Sequence, residues 1–353
     1  GAVVIIRSKH WDPKWAKFAR RALKIGIITV LSFPAASWLM FLVYRWPASK
    51  QQAINQFLGV LCAIVVFNML LTWRFQGGIA LILLSVSTTV IISIDQLLGA
   101  PASFTSFFGY SPIQAFRFYG IGNEGAAVFF GAAVIGIVLT LDQMREAKWI
   151  ESFKRYGILL IGFVVTFISA APNLGANVTV ALWGTVGFAG LFFLVNGKKI
   201  DFKRVLLIAL AALLMIGLIV AIDRFTPSNS HLARSISSAE EGGIERFTEI
   251  VVRKVETNLR VLTATNMVFL LIAVLVFLTV MRLRPSGDFK LTLERNPYFA
   301  HGMTCILITG LVAYLSEDSG IVLPALMVLY LGNSIVWLML DNVSETQALE
   351  GGR

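Results

Sequence analysis

Ten apolar stretches alternate with short polar links along this chain, at residues 25–44, 54–73, 78–98, 125–141, 157–171, 178–195, 205–222, 265–281, 303–315 and 321–340. Stretches near 20 residues long cross a hydrocarbon core of about 30 Å as helices. The strand alternation of an outer-membrane barrel is missing, so helices are the expected spanning element. The pattern predicts an all-α fold: a polytopic transmembrane bundle of about ten spans, with broken or re-entrant helices and an outer amphipathic helix.

The interruptions carry more information than the number of spans. The fifth apolar stretch stops at "SAAPNLGAN" and the ninth at "SEDSG", and both are expected to be too short to cross. Between the third and fourth runs lies "GAPASFTSFFGYSPIQAFRFYGIGNEG", too apolar for a free solvated loop and expected to fold back into the bundle. Irregular backbone at membrane depth is tolerated only inside protein or along a wet cavity. By this reading "GIGNEG", "NLGAN" and "SEDSG" all precede helix N-termini on one side of the membrane, where free N–H groups and the positive dipole end gather. With Arg117, three such ends form an expected anion site.

One long link, residues 223–264, closes with "GIERFTEIVVRKVETNLRVL". There Ile244, Phe247, Val251, Val255, Leu259 and Leu262 recur at three- and four-residue spacing, which predicts an amphipathic helix lying on or lidding the outer end. Glu249 with Arg253 and Glu256 with Arg260 are i,i+4 pairs on its polar side.

Charge then sets the orientation. If residues 7–24 are cytoplasmic, the links on that side hold twenty Lys or Arg and the opposite links nine, so the positive-inside rule puts the C-terminus in the cytoplasm as well. The expected organisation is residues 1–24 as the stump of an earlier span and a basic cytoplasmic link. Residues 25–222 then form spans one to seven, 223–264 the extracytoplasmic loop, 265–340 spans eight to ten, and 341–353 a cytoplasmic tail. The net charge of +10 is spread over short links rather than gathered on one soluble face, so no nucleic-acid partner is expected. The three histidines show no ligand spacing, and the two cysteines, Cys62 and Cys305, sit in separate apolar runs. No metal site and no cofactor is therefore expected.

"GIGNEG" is also a literal G-x-G-x-x-G, but the dinucleotide fingerprint needs a preceding strand and a βαβ unit, which this pattern lacks. Its glycines fit a tight turn and close helix approach instead. The candidate catalytic or proton-exchanging acids are Glu124 and Asp318, because a carboxyl near membrane depth holds protons tightly. The candidate substrate-binding residues are Arg117, Tyr119, Asn123, Asn173, Asn177 and Ser319, and the backbone-turn residues are Gly120, Gly122, Gly175 and Gly320. Against each stands a structural reading, in which the acids cap helices and the amides and hydroxyl satisfy buried backbone. Asp95, late in the third apolar run, is a further acid open to both readings.

The stretches "FGYSPIQAFRFYGIGNEG", "PNLGANVTVAL" and "EDSGIVLPA", with the basic entry "FARRALKIGIITVLSFPAASWLMFLV", resemble the membrane-embedded part of a family of bacterial polytopic proteins. In that family an extracytoplasmic alkaline-phosphatase-like domain precedes the helical bundle, and its function is uncharacterised. The resemblance implies roles for Arg117, Tyr119, Gly120, Gly122, Asn123, Asn173, Gly175, Asn177, Asp318, Ser319 and Gly320. Glu317 departs from the Asn expected before "DSG" and adds a negative charge. The function expected is a bacterial inner-membrane, transporter-like protein that binds or moves a lipid-linked or anionic envelope substrate. Its expected partners are membrane lipid, that ligand, and a phosphatase-like domain or other membrane subunits. The alternatives are a structural or assembly subunit and a membrane glycosyl- or phosphotransferase.

Overall fold

The computed structural model describes residues 13–43, 49–74, 78–103, 105–109, 120–225, 248–249, 252–254, 256–260, 262–263 and 266–351, with side chains as far as 342. The helices described end to end are α1 (Pro13–Val43), α2 (Lys50–Arg74), α3 (Ile79–Leu97), α4 (Asn123–Gln143), α5 (Ile150–Ala170), α6 (Thr179–Val195), α7 (Phe202–Phe225), α8 (Met267–Leu283), α9 (Gly287–Arg295), α10 (Pro297–Ser316) and α11 (Val322–Gly351), and the described residues between 248 and 263 are helical as well. No strand occurs among the described residues. Among the described residues eight helices are long and apolar enough to cross a membrane, namely α1 to α5, α7, α10 and α11. The pair α8 and α9, bent by 68°, passes the same test together. Helix α6 has 17 residues, about 25 Å at 1.5 Å per residue, and falls short of a 30 Å core.

Each expected apolar run is helical where it is described, but two expected lengths are corrected. The fifth helix starts at Ile150, before the basic Lys154 and Arg155, and passes through a π-helical turn at Phe153–Gly157. The ninth run is the 20-residue α10, which begins at Pro297 in the first helical turn, where proline's fixed φ and missing N–H cost nothing. Neither helix is too short to cross. The breaks after them therefore do not arise from short helices.

Helix α4 is the axis of the bundle and is buried along nearly its whole length. It packs against α3, α10 and α11, and at Gly131 the backbones approach so closely that an added Cβ would lie 2.7 Å from the Met327 carbonyl oxygen. Small residues at such crossings let dispersion contacts replace the hydrophobic drive that lipid does not supply. Tyr330 ties three helices in the interior, its hydroxyl donating to Thr88 Oγ1 at 2.8 Å and lying 3.3 Å from the Leu31 carbonyl oxygen. Helices α2, α7 and α8 lie at the periphery with large apolar side chains exposed, such as Phe67, Leu213 and Phe277.

At the end where α4 finishes, Asp142 reaches across to the start of α10. Its carboxylate accepts from the Tyr298 N–H at 3.2 Å, the Phe299 N–H at 2.7 Å and Arg145 at 2.9 Å, with its side chain only 1% exposed. Two orphan donors of a helix N-terminus are thus met by an acid from another helix. Nearby, Lys24 pairs with Asp341 and sits 4.6 Å over the Trp337 ring, joining the first and last helices. Asp142→Ala is expected to destabilise the protein by about 1–3 kcal/mol, the range for stranding buried donors of a charged acceptor. Thermal unfolding of the detergent-purified variant beside wild type measures this, and an unchanged melting temperature contradicts it.

Candidate functional site

The opposite end of the bundle gathers the three interrupted segments. The segment after α5 folds back on that helix, because its last carbonyls need donors. The Gly175 N–H donates to Ile168 O at 2.8 Å, Ala176 N–H to Ala171 O at 2.9 Å, and Asn177 N–H to Ser169 O at 2.9 Å. Ala176 accepts a left-handed φ of 53° to make this return. A Cβ on Gly175 would sit 2.3 Å from the Ser169 carbonyl oxygen, so only glycine fits the fold-back.

The segment before α4 then docks on this loop. Ile121 N–H donates to the Gly175 carbonyl at 2.8 Å, and Gly120, at φ 89°, would place a Cβ only 2.4 Å from the same oxygen. The two glycine motifs are therefore one backbone-to-backbone contact. Gly122 is the N-cap of α4, and Gly320 turns the chain at φ 58° before α11.

Side chains complete the junction. Asn123 Nδ2 donates to Ser319 Oγ at 2.7 Å and to Asp318 Oδ1 at 3.3 Å, while its Oδ1 accepts from Asn177 Nδ2 at 2.9 Å. Thr179 Oγ1 donates to Asn177 Oδ1 at 2.8 Å and also contacts Glu317 Oε1. Trp183 Nε1 donates to the same Glu317 oxygen at 3.1 Å. Asn123, Asn177, Thr179, Trp183, Glu317, Asp318 and Ser319 thus form one connected network from four helix ends. Glu317 and Asn177 are buried, Asn123 and Ser319 are half-buried, and Asp318 is exposed, so the network has a closed floor and an open rim.

The remaining expected residues fall around this network. Glu124 is half-buried in the first turn of α4, next to Asn123. Asn173 is exposed at the tip of the loop after α5. Arg117 and Tyr119 lie outside the described residues. Thr179, Trp183 and Lys254 enter the site without having been singled out from sequence. Thr179 and Trp183 are four residues apart, on one face of a helix, immediately after "NLGAN".

The outer segment closes one side. Among its described residues Lys254 Nζ donates to the Ser316 carbonyl, and Asn258 Nδ2 donates to the Tyr314 carbonyl at 3.1 Å. Both meet the last carbonyls of α10, where a cation also suits the negative dipole end. The face turned inward thus carries Lys254, Asn258 and Leu262, while Leu259, expected on the inner face, is exposed. Ile244, Phe247, Val251 and Val255 lie outside the described residues.

Asp95, the further acid late in the third apolar run, is buried and takes the structural one of its two readings. Its carboxylate accepts from Ala102 N–H at 2.7 Å, Ser103 Oγ at 2.7 Å, Gln96 Nε2 at 3.1 Å and Trp38 Nε1 at 3.2 Å. It organises the turn after α3, so that Phe108 stacks on Trp38 and Phe107 packs edge-on to Phe57. That part of the apolar link does fold back onto the bundle.

Burial pushes the Glu317 carboxyl above the ordinary glutamate value of 4.5, against the opposing pull of Thr179, Trp183 and Lys254. A raised folded value means that Glu317 supports the fold when protonated, and that this support is lost as pH rises from 4.5 through the raised value. Glu317→Gln, whose oxygen can accept the same two bonds, is expected to raise the melting temperature at neutral pH. It is also expected to flatten the decline in stability above pH 4.5. A pH series of thermal unfolding curves checks both, and a variant less stable than wild type at neutral pH contradicts the sign.

No known family model, curated protein or solved structure matches this chain.

Proposed function

We propose that the protein is a bacterial inner-membrane protein whose outer-facing polar network binds, or moves, the head group of a lipid-linked or anionic envelope substrate. In this reading α6 and α8 also span, giving ten crossings, and the loops before α4, after α5 and after α10 are re-entrant. The twenty-to-nine distribution of Lys and Arg supports an extracytoplasmic network end and a cytoplasmic C-terminus in this reading. The observation that carries the reading is convergence: segments some fifty and two hundred residues apart meet through Asn123, which bonds Asn177, Asp318 and Ser319.

The roles follow from the chemistry. The helix N-termini, Arg117 and Lys254 attract the anionic part of the head group. Asn123, Asn173, Asn177 and Ser319 orient it through hydroxyl and amide hydrogen bonds, and Tyr119 adds a further hydroxyl. Glu317, with Asp318 and Glu124 at the rim, exchanges a proton. A phosphatase-like partner, which the resemblance implies, would act on the bound head group.

A second reading is structural, and the mutual satisfaction of the network favours it, since amides and hydroxyls that bond one another already close the junction. Native mass spectrometry of the detergent-purified chain separates the two. A specific co-purified anionic lipid, lost in Arg117→Ala, supports binding. An absent ligand, or one that Arg117→Ala leaves unchanged, supports the structural role.

A further inference from the structure

A polar seam runs through the apolar interior between α1, α3, α4 and α11. Four of its groups, the hydroxyls of Ser32, Ser85 and Ser334 and the indole Nε1 of Trp337, are fully buried and meet no hydrogen-bond partner among the described residues. A hydroxyl on a membrane helix commonly donates back to the carbonyl four residues earlier, and in α3 those of Ser87, Thr88, Thr89 and Ser93 all do so. Ser85, on the same helix, does not. Its hydroxyl, like those of Ser32 and Ser334, is left for something outside its own helix.

The groups follow one line through the bundle. Tyr330, Ser334, Trp337 and Asp341 recur at intervals of four, three and four residues, hence on one face of α11. At one end of the line the Tyr330 hydroxyl lies against Thr88 Oγ1 and the Leu31 carbonyl oxygen, next to Ser32. At the other end Asp341 pairs with Lys24, whose ammonium lies over the Trp337 ring. Helices α1 and α11 therefore face each other from Lys24 to Leu31 and from Asp341 to Tyr330, with Ser334 between. Ser85, one turn from Thr88, faces α4, where a Cβ added to Gly136 would lie 3.4 Å from the Ser85 Cβ. Gly136 is five residues past the crossing of Gly131 with Met327, and Ser334 is seven past it. The two serines thus stand within about 3 Å of one level at 1.5 Å per residue.

Orphaned polar atoms are rare in protein interiors because ordered water meets them, and a buried water typically makes about three hydrogen bonds. A water bonded at about 2.8 Å on either side spans about 5.5 Å, close to the 5.4 Å rise of one helical turn. We propose that ordered water occupies this seam, about one molecule to each turn of α11 from Trp337 to Tyr330, and enters beside the Lys24–Asp341 pair. The water bridges the Ser85 and Ser334 hydroxyls and accepts from Trp337 Nε1. Lys24 and Asp341, with side chains 26% and 25% exposed, form the mouth. The seam carries water and exchangeable protons to Tyr330, near the middle of the Val322–Asn342 span, and is separate from the polar network at the other end of α11.

Radiolytic hydroxyl-radical footprinting of the full detergent-purified chain tests this, because radicals formed from water held inside a protein oxidise the side chains they touch. Trp337 and Tyr330 are expected to be oxidised several-fold faster than Phe129 and Phe130 of the α4 core, which are as deeply buried. Filling the seam with Ser334→Val is expected to bring Trp337 down to the rate of those phenylalanines. Trp337 and Tyr330 no faster than the phenylalanines in the wild type would mean a dry seam and overturn the proposal. Fast oxidation that Ser334→Val leaves unchanged would mean that radicals arrive by another route, and overturns it as well. Should Ser334→Val not fold, the gentler Ser85→Ala and Ser334→Ala decide by the sign of their effect. Water-bonded hydroxyls predict a melting temperature below that of wild type for both, whereas removing hydroxyls that bond nothing leaves it unchanged or raises it, which contradicts a hydrated seam.

Discussion

Gly120→Ala and Gly175→Ala are each expected to cost the bundle several kcal/mol of stability, about 2–5 for the first. At Gly120 the new Cβ meets the Gly175 carbonyl oxygen at 2.4 Å, and the φ of 89° is one that L side chains rarely adopt. The conformational part costs about 1–2 kcal/mol and the overpacking about 1–3 kcal/mol. At Gly175 the clash is with Ser169 and Ile168 carbonyls at 2.3 and 2.6 Å, backbone that cannot move without opening the end of α5. Opening it would expose peptide groups that lipid cannot satisfy. Gly190→Ala in α6 is the control, since nothing lies within 4 Å of its Cβ and a helical Gly→Ala change is stabilising by about 0.5–1 kcal/mol. Thermal unfolding in one detergent should show a fall of several degrees for the first two variants and none for the third. A Gly120→Ala variant that melts with the control would mean that the loops before α4 and after α5 do not touch, and a Gly175→Ala variant that does so would mean that the loop after α5 does not fold back on that helix.

Asn123→Leu is expected to have the largest effect on the network itself. It removes two donated bonds and one accepted bond, and it leaves Asn177 Nδ2 and Ser319 Oγ facing a side chain that offers nothing. Each buried polar group left unpaired costs about 1–3 kcal/mol. Asp318→Asn makes the informative comparison, because Asp318 is exposed and can lose its charge with little loss of packing. A binding role predicts that Asp318→Asn keeps the wild-type melting temperature yet changes the amount of co-purified lipid. A structural role predicts that stability and lipid content fall together in Asn123→Leu and that neither changes in Asp318→Asn.

Much of the fold can be read from sequence because lipid imposes one rule, that a crossing chain must bond its own backbone. The ten apolar runs are therefore helices where they are described, and "GIGNEG", "NLGAN" and "SEDSG" stand out as the places where the helices are interrupted. Helix starts are harder to read. Lys154, Arg155 and His301 lie inside helices that begin several residues earlier, since first turns near an interface tolerate charge that a hydropathy average counts against them. The outer segment shows a competing force: its apolar spacing favours Leu259 as an inward residue, but the open carbonyls at the end of α10 select Lys254 and Asn258. Chain connectivity also conceals who meets whom. Nothing local to Thr179 or Trp183 announces Glu317 as a partner 134 to 138 residues away, and Glu317 reads from sequence only as an extra charge. Asp95, in contrast, has its partners Ala102 and Ser103 within eight residues, so its structural role is a local turn pattern that sequence does contain.

The most direct test of the central claim is a density map of the full chain purified in native-membrane nanodiscs. The account predicts ordered non-protein density touching Asn123, Asn177 and Ser319. Side chains that bond only one another, with water alone at the open rim, would contradict it and leave the network as a structural joint.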